Sequence, residues 1–427
     1  MTYNTNSKWE TKKLKDIVIV NPAEEIEKGS AVKRINLDKL DPNSKVINGF
    51  EEIEYTGKGS KFRNLDVLVP QISSALLASK TALVTTLDEN EVAVGSNWYI
   101  VMRSIRGITE PNFLYYMATT PWFKELAVKS LEGSTHSQYI NLSALMESSF
   151  SIPPYDEQYR IAETLSAIDS KIEQNQKVCQ VTEKVLNRLF CDWFIEYNFP
   201  DEHGAPYRKN GGSLVTSDLG LIPTGWKTGN LSDIGNIVAG GTPSKKVDTY
   251  YSADGIAWIT PRDLSRLKTK FIQKGAIDIT GEGFDNCSAS LLPQGTVLFS
   301  SRAPIGYIAI AANELTTNQG FRSIIPFPHI GSTFVYYLLL SKIQNITNMA
   351  SGTTFKEISG QTLKKLKIVI PDVSVLQIFT AQTDSLMHYQ ANLEKENRLL
   401  ASTRANLLPL LMSGTLKIPV KRSNTNG

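Results

Sequence analysis

Two stretches of the chain carry residues at alternating four- and three-residue spacings, the pattern of a helix with a single buried seam. The first runs Ile161, Leu165, Ile168, Ile172, Cys179, Leu186, Leu189 and Trp193, with Asn175 and Thr182 in the two gaps. The second runs Phe379, Gln382, Leu386, Tyr389, Leu393, Glu396, Leu400, Thr403, Leu407 and Leu410. Each seam lasts about five heptads, and a lone helix of this kind is poorly stable, so the two are expected to pair with each other. The polar seam residues Asn175, Thr182 and Glu396 either fix the register or sit on solvated flanks. Ahead of each helix lie about 145 residues of short apolar runs broken by Gly, Pro, Asn and Ser. Val67–Val69, Thr296–Phe299 and Tyr307–Ala311 read as buried strands, and Phe113–Met117 and Phe334–Leu340 as helix starts. Each half is therefore expected to be mixed α and β with a curved sheet.

The two halves are copies. Trp9-x4-Leu14-x-Asp16-Ile17 returns in the second half as Trp226-x4-Leu231-x-Asp233-Ile234. Phe113-x-Tyr115-Tyr116 returns as Phe334-x-Tyr336-Tyr337, and Gly133-Ser-Thr as Gly352-Thr-Thr. Ile140, Leu145 and Ile152-Pro153 return at a common offset as Ile358, Leu363 and Ile370-Pro371. Matches in one order at nearly one offset mark a duplication. The expected layout is a first domain at 1–154, a long helix at 155–198, a Pro/Gly-rich linker at 199–223, a second domain at 224–372, a second helix at 373–412 and a tail at 413–427. If the helices run antiparallel, two similar domains sit at opposite ends of a dumbbell related by a pseudo-twofold axis. A helix of about 38 residues spans about 57 Å, against about 34 Å for a turn of DNA. Such an object suits two DNA readers held at a fixed spacing, and equally an adaptor for two identical protein partners.

Composition narrows the classes. A chain of 427 residues with 41% hydrophobic and 20% charged residues is an ordinary globular protein of two to three domains. The net charge of +3 excludes a histone-like arm but leaves room for a local basic patch. Three widely spaced cysteines argue against a disulfide framework and for a reducing compartment. Four scattered histidines form no metal site at zinc spacing. There is no apolar signal-peptide core and no run long enough to span a membrane, so a cytoplasmic location is expected.

Catalytic readings fail one by one. Ile152-Pro153-Pro154-Tyr155 is similar to the Asp/Asn-Pro-Pro-Tyr/Phe loop of amino-methyltransferases, but Ile152 cannot accept a hydrogen bond from a target amine, and a proline junction before a helix explains the motif. Gly240-Gly241-Thr242-Pro243-Ser244-Lys245-Lys246 lacks the spacing of a phosphate loop. It is either a surface loop or a contact to DNA phosphate. No acid precedes Glu10-Thr11-Lys12 to make a nuclease site. Arg262, Arg266, Lys268, Lys270 and Lys274 fall in one short stretch whose only acid is Asp263. This is a solvated face or a phosphate-contacting strip. Arg302, in Ser300-Ser301-Arg302-Ala303-Pro304-Ile305-Gly306, either faces a guanine edge or pairs with a carboxylate. The first copy has Pro70-Gln71-Ile72-Ser73-Ser74 in that region, without an arginine. The polar loops Gly133-Ser134-Thr135-His136 and Gly352-Thr353-Thr354-Phe355-Lys356 either cap the following helix or donate to a phosphate. Phe355 in place of His136 argues against a Ser/His catalytic pair.

At this point the residues carry a family likeness. The chain resembles, over essentially its whole length, the specificity subunit of bacterial type I restriction–modification systems. The carriers are Trp226-Lys-Thr-Gly-Asn-Leu-Ser-Asp-Ile, Gly240-Gly-Thr-Pro-Ser, Trp258-Ile-Thr-Pro-Arg-Asp-Leu, Arg302-Ala-Pro-Ile-Gly, Thr317-Asn-Gln-Gly, Ile152-Pro-Pro-Tyr-Asp-Glu-Gln, Leu165-Ser-Ala-Ile-Asp-Ser-Lys-Ile and Arg404-Ala-Asn-Leu-Leu-Pro-Leu-Leu-Met-Ser-Gly. The resemblance implies two mixed α/β target recognition domains, each reading half of a bipartite DNA site, on two antiparallel helices that set the spacer. It implies a non-catalytic reader without a cofactor of its own, docked to two methyltransferase subunits that use S-adenosylmethionine. Restriction subunits using ATP and Mg would join them. On this view the DNA-contacting candidates are Lys245, Lys246, Arg262, Arg266, Lys268, Lys270, Arg302, Asn318, Gln319, Thr353, Thr354 and Lys356 in the second domain. Lys58, Lys61, Arg63, Gln71, Ser73, Ser134, Thr135 and His136 are those of the first.

Overall fold

The computed structural model describes residues 9–42, 44–134, 138–352 and 356–419. The chain forms two compact units, one of residues up to 173 with those from 397 onward, the other of residues 174–396.

In the first unit, strands Val18–Val20, Tyr99–Ser104, Val67–Pro70 and Ala82–Leu83 lie side by side in that order. In the second, Gly235–Ala239, Arg322–Pro326, Val297–Phe299 and Ile308–Ala311 repeat the order, with Phe271–Ile272 added at the edge. Each unit also has a four-stranded companion sheet containing one parallel pair. That pair joins Arg34 and Ile35 to Val94 and Gly95 in one unit, and Trp258 and Ile259 to Thr316 and Thr317 in the other. The duplication read from scattered motifs is thus a duplication of topology.

The strands are legible as unbroken apolar runs because both faces of each main sheet are covered. Val67, Val69, Ile100 and Met102 face a core with Phe113 and Tyr116, while Leu68, Tyr99 and Val101 face one with Ile35 and Phe62. The second unit does the same. Val297, Phe299, Ile310 and Ile324 point one way, and Leu298, Ala309 and Phe321 the other.

The long helices span Tyr155–Phe190, continued by a π-helical turn Cys191–Ile195, and Val373–Met412. The first starts beyond Pro154, whose carbonyl accepts from the Glu157 and Gln158 amides. Gln158 is buried there and bonds the Ile108 and Pro153 carbonyls and the Glu110 amide. Within the first unit, Asn397 donates to the Ile172 carbonyl at 3.4 Å and Arg404 bonds Asp169. Within the second, Asn175 donates to Glu396 at 2.8 Å, and Trp193 packs on Phe379 at 5.7 Å. As one number rises the other falls, so the helix segments run antiparallel in each unit.

Along the first helix the expected seam is the buried one. Ile161, Leu165, Asn175, Thr182 and Leu186 are buried, and Ile168, Ile172 and Leu189 half-buried. In the second helix Leu386, Leu393, Leu400 and Leu407 face inward, but the alternate stripe lies one residue further on. Tyr389 and Leu410 are 50% and 42% exposed, whereas Gln390 and Leu411 are 4% and 1%. The true stripe is Thr383, Gln390, Asn397, Arg404 and Leu411. Four of these are polar, so an apolar count passes over them. Each of the four donates within its own helix or to the facing one, as Thr383 does to the Phe379 carbonyl and Gln390 to Glu394.

The 199–223 stretch is more ordered than its loop chemistry suggests. Leu214–Ser217 and Gly220–Pro223 form a hairpin. Phe199 stacks on Trp226 at 4.9 Å and on Tyr207 at 4.7 Å.

Candidate nucleic-acid interface

In the second unit, segments far apart in sequence lock into one surface. The Gly241 amide donates to the Thr317 carbonyl at 2.9 Å, and the Thr242 hydroxyl bonds Gln319. Trp258 Nε1 donates to the Gly241 carbonyl at 3.0 Å. The Asn318 amide donates to the Ile259 carbonyl at 2.9 Å, next to the helix Pro261–Arg266. The Ser301 amide donates to the Gly320 carbonyl at 2.8 Å, and the Ile358 amide to the Ser301 carbonyl at 3.0 Å. The paired glycines are needed here, because a Cβ on Gly240 would collide with the Thr317 and Asn318 carbonyls and one on Gly241 with the Ala289 amide. The helix carrying Arg262 and Arg266 is fixed by a capping box, in which Thr260 and Asp263 bond each other's backbone. Asp263 also accepts from the Ala276 amide at 2.9 Å.

Of the candidates on or next to these segments, Lys245, Lys246, Arg262, Arg266, Lys268, Gln319 and Lys356 are exposed. Asn318 is half-buried and accepts from the Gly320 amide at 2.9 Å. Arg302 pairs with Glu357 at 3.4 Å, so of its two readings the carboxylate pair is the one present. Lys270 is a correction. Its side chain is 1% exposed and bonded to Glu183, so it cannot reach a phosphate, and it leaves the basic strip. The surface includes a residue that the motifs do not flag. Arg322 donates to the Gln319 and Phe321 carbonyls and lies 3.7 Å from Glu357. Its only sequence signal is its place two residues after the Thr-Asn-Gln-Gly run.

The first unit repeats this backbone frame with other side chains. The Gln71 amide donates to the Trp98 carbonyl at 2.7 Å, and the Ile140 amide to the Gln71 carbonyl at 2.9 Å. These are the Ser301 contacts over again, so Gln71 stands where Ser301 does and Ile72 where Arg302 does. Gln71 and Ser73 are half-buried, and Lys58 and Ser134 exposed. Trp98, 47% exposed beside Gln71, is an additional candidate that no motif points to. Lys61 and Arg63 are engaged by Glu24. Lys61 donates to the Glu24 carbonyl at 2.6 Å, and Arg63 and Arg103 bond its carboxylate. Burial pushes that carboxyl up, but the hydrogen bonds from Arg103 and Arg63 outweigh it and hold it below the usual range.

Thr135, His136, Thr353 and Thr354 lie outside the described residues. The helices after the two polar loops are capped by Asn141 and Ser359 instead, which accept from the Ala144 and Thr362 amides. Among the described residues no group of His, Cys, Asp and Glu is placed to hold a metal, and no helix is long and apolar enough to cross a membrane.

A family model described as the type I restriction modification DNA specificity domain matches residues 6–183 and 223–395. The chain belongs to this family. The two matched segments are the two repeats, and what the family description names is DNA specificity, not catalysis. The MjaIX specificity subunit of Methanocaldococcus jannaschii is 40% identical over 186 residues, which are 43% of this chain and 43% of that protein. The match therefore spans less than half of that relative. The HindI specificity subunit of Haemophilus influenzae is 25% identical over 76% of this chain and 81% of its own length. A solved structure of a type I restriction–modification S subunit from M. genitalium shares the fold, with a TM-score of 0.57 at 18% identity, covering 96% of this specificity chain and 98% of that one.

Proposed function

We propose that this chain is the DNA-reading subunit of a type I restriction–modification complex, each repeat reading one half of a bipartite duplex target. Its recognition domains are residues 1–154 and 224–372, and the paired helices set the spacer between half-sites. In this reading the helices also dock two methyltransferase subunits, which supply S-adenosylmethionine chemistry, and restriction subunits, which supply ATP and Mg chemistry, in the cytoplasm. The observation that carries the reading is the interlocked surface of the second repeat. Five sequence-distant segments lock together there, and on or next to them stand the exposed Lys245, Lys246, Arg262, Arg266, Lys268 and Gln319 and the half-buried Asn318. Exposed cations position a phosphate backbone, and polar side chains between them reach base edges.

The test is methylome sequencing of cells expressing the partner methyltransferase with and without this chain. A two-part motif methylated only in its presence is expected. Methylation that ignores the chain overturns the proposal and favours a protein-only adaptor. A second expectation concerns charge. Lys245→Ala with Lys246→Ala weakens binding to all duplexes alike and flattens the salt slope by about 0.9 for each phosphate no longer neutralised. Titration of the complex on duplex DNA at several salt concentrations measures it, and an unchanged slope removes these lysines from the interface.

A further inference from the structure

Each repeat holds one lysine against its tyrosine pair, Lys45 half-buried in the first and Lys270 buried in the second. Neither has a role in the DNA surface. Lys270 immediately precedes the edge strand Phe271–Ile272. Its ammonium bonds Glu183 of the first long helix at 2.6 Å and the Tyr337 hydroxyl at 2.7 Å. It lies 5.0 and 4.8 Å from the ring centres of Tyr336 and Tyr337. Tyr337 in turn donates to Glu183 at 2.9 Å. The Lys270 and Phe271 amides donate to Glu394 of the second long helix at 3.1 and 3.0 Å. One short segment of the recognition part is thereby bonded to both helices.

The first repeat builds a related device, in which the lysine reaches the long helix through Ser166 and the tyrosine reaches it through Asp169. Lys45 lies 6.0 and 5.7 Å from the ring centres of Tyr115 and Tyr116. It bonds Asn112 at 2.6 Å and Ser166 at 3.1 Å. Tyr116 donates to Asp169 of the first long helix at 2.6 Å, and Asp169 accepts from Arg404 of the second. A tyrosine pair, an enclosed lysine and a helix carboxylate thus recur. The acid comes from the helix that follows the repeat in the first unit and from the helix that precedes it in the second.

Apolar packing alone is non-directional. The Lys270–Glu183 ion pair adds little net stability but has strict geometry, and the charge-assisted bonds of Lys45 to Asn112 and Ser166 are directional too. We propose that Lys270–Tyr337–Glu183 and Lys45–Tyr116–Asp169 are matched latches that hold the recognition part of each repeat in one rotational pose on its helix pair, making these residues positioning residues for DNA reading. This rests on the DNA-reading proposal above. Burial draws the ammonium groups of both lysines below the usual lysine range, against the pull of Glu183 on Lys270 and Asp169 on Lys45.

The test removes one hydroxyl. In the assembled complex with its methyltransferase partner, Tyr337→Phe is compared with wild type by amide hydrogen exchange and methylome sequencing. Loss of a bond to a buried charged partner is expected to speed exchange at Lys270 and Phe271 about tenfold. The bases of one half-site should become degenerate while the other half-site keeps its stringency. Tyr116→Phe should do the same to the opposite half-site. Unchanged exchange at Lys270 and Phe271 overturns the latch. Faster exchange with both half-sites unaltered, or both degraded alike, overturns the positioning role. Should Tyr337→Phe fail to assemble, Glu183→Gln, which keeps an acceptor for Tyr337, is judged by the same two readouts. Failure of the underlying reading shows separately, because wild type itself then yields no chain-dependent bipartite motif and the positioning role falls with it.

Discussion

Phe334→Ala is expected to lower the melting temperature of the second unit by about 10 °C. Phe334 is 1% exposed, and its ring lies 4.9 Å from Phe194 and 5.9 Å from Phe190. It joins the end of the first long helix to the helix Ser332–Met349. Truncating a fully buried phenylalanine removes its transfer free energy and leaves a cavity, together about 3–5 kcal/mol. In a unit of this size each kcal/mol moves the midpoint by roughly 2–4 °C. Phe334→Leu keeps most of the volume and should cost about a third as much. Scanning calorimetry decides it, and a drop below about 3 °C for the alanine variant would mean that the aromatic cluster collapses into the gap.

Asp169→Ala should destabilise the first unit by about 2 kcal/mol, the cost of removing the shared acceptor of one charged and one neutral hydrogen-bond donor at a largely enclosed site. The Asp169 side chain is 10% exposed and that of Arg404 18%, so water cannot replace the missing carboxylate at little cost. The same carboxylate accepts the Tyr116 hydroxyl. Asp169→Asn keeps an acceptor and should recover part of the loss. Denaturant titration of the two variants measures the difference. Equal stability of wild type and Asp169→Ala would mean that the bonds from Arg404 and Tyr116 to this carboxylate contribute nothing net.

How far the sequence can be read depends on which forces leave a linear trace. Burial does, so Val67–Val69, the Phe-x-Tyr-Tyr helix starts and the Ile161-to-Leu189 seam are all visible as apolar spacing. Polar burial does not. Thr383, Gln390, Asn397 and Arg404 line the second helix's inner face, yet their residue types suggest solvent. Their place is fixed by partners such as Ile172 and Asp169, which only the fold brings near. The same limit explains Lys270. In sequence it belongs to a run of cations, and its partner Glu183 stands on a helix that precedes the whole second repeat. The candidate interface is legible in the second repeat because its Gly-Gly, Pro and Asn-Gln-Gly segments are demanded by close backbone approach. In the first repeat the backbone frame is kept but Gln71 and Ile72 carry no such demand, and Trp98 has no motif to mark it.

The way the two units divide the chain has a consequence for biosynthesis. The second unit is one continuous run, complete once residue 396 has emerged. The first unit needs Leu411 and Met412, buried in its core at 1% and 3% exposure, and Arg404 against Asp169. Translation proceeds from the amino end at about 5–20 residues per second. Residues 9–173 therefore leave the ribosome first and then wait, with part of their apolar surface uncovered, until the whole second unit has been made. The half that is synthesised first is the half that closes last, and a stalled or clipped carboxyl end would injure the first unit before the second.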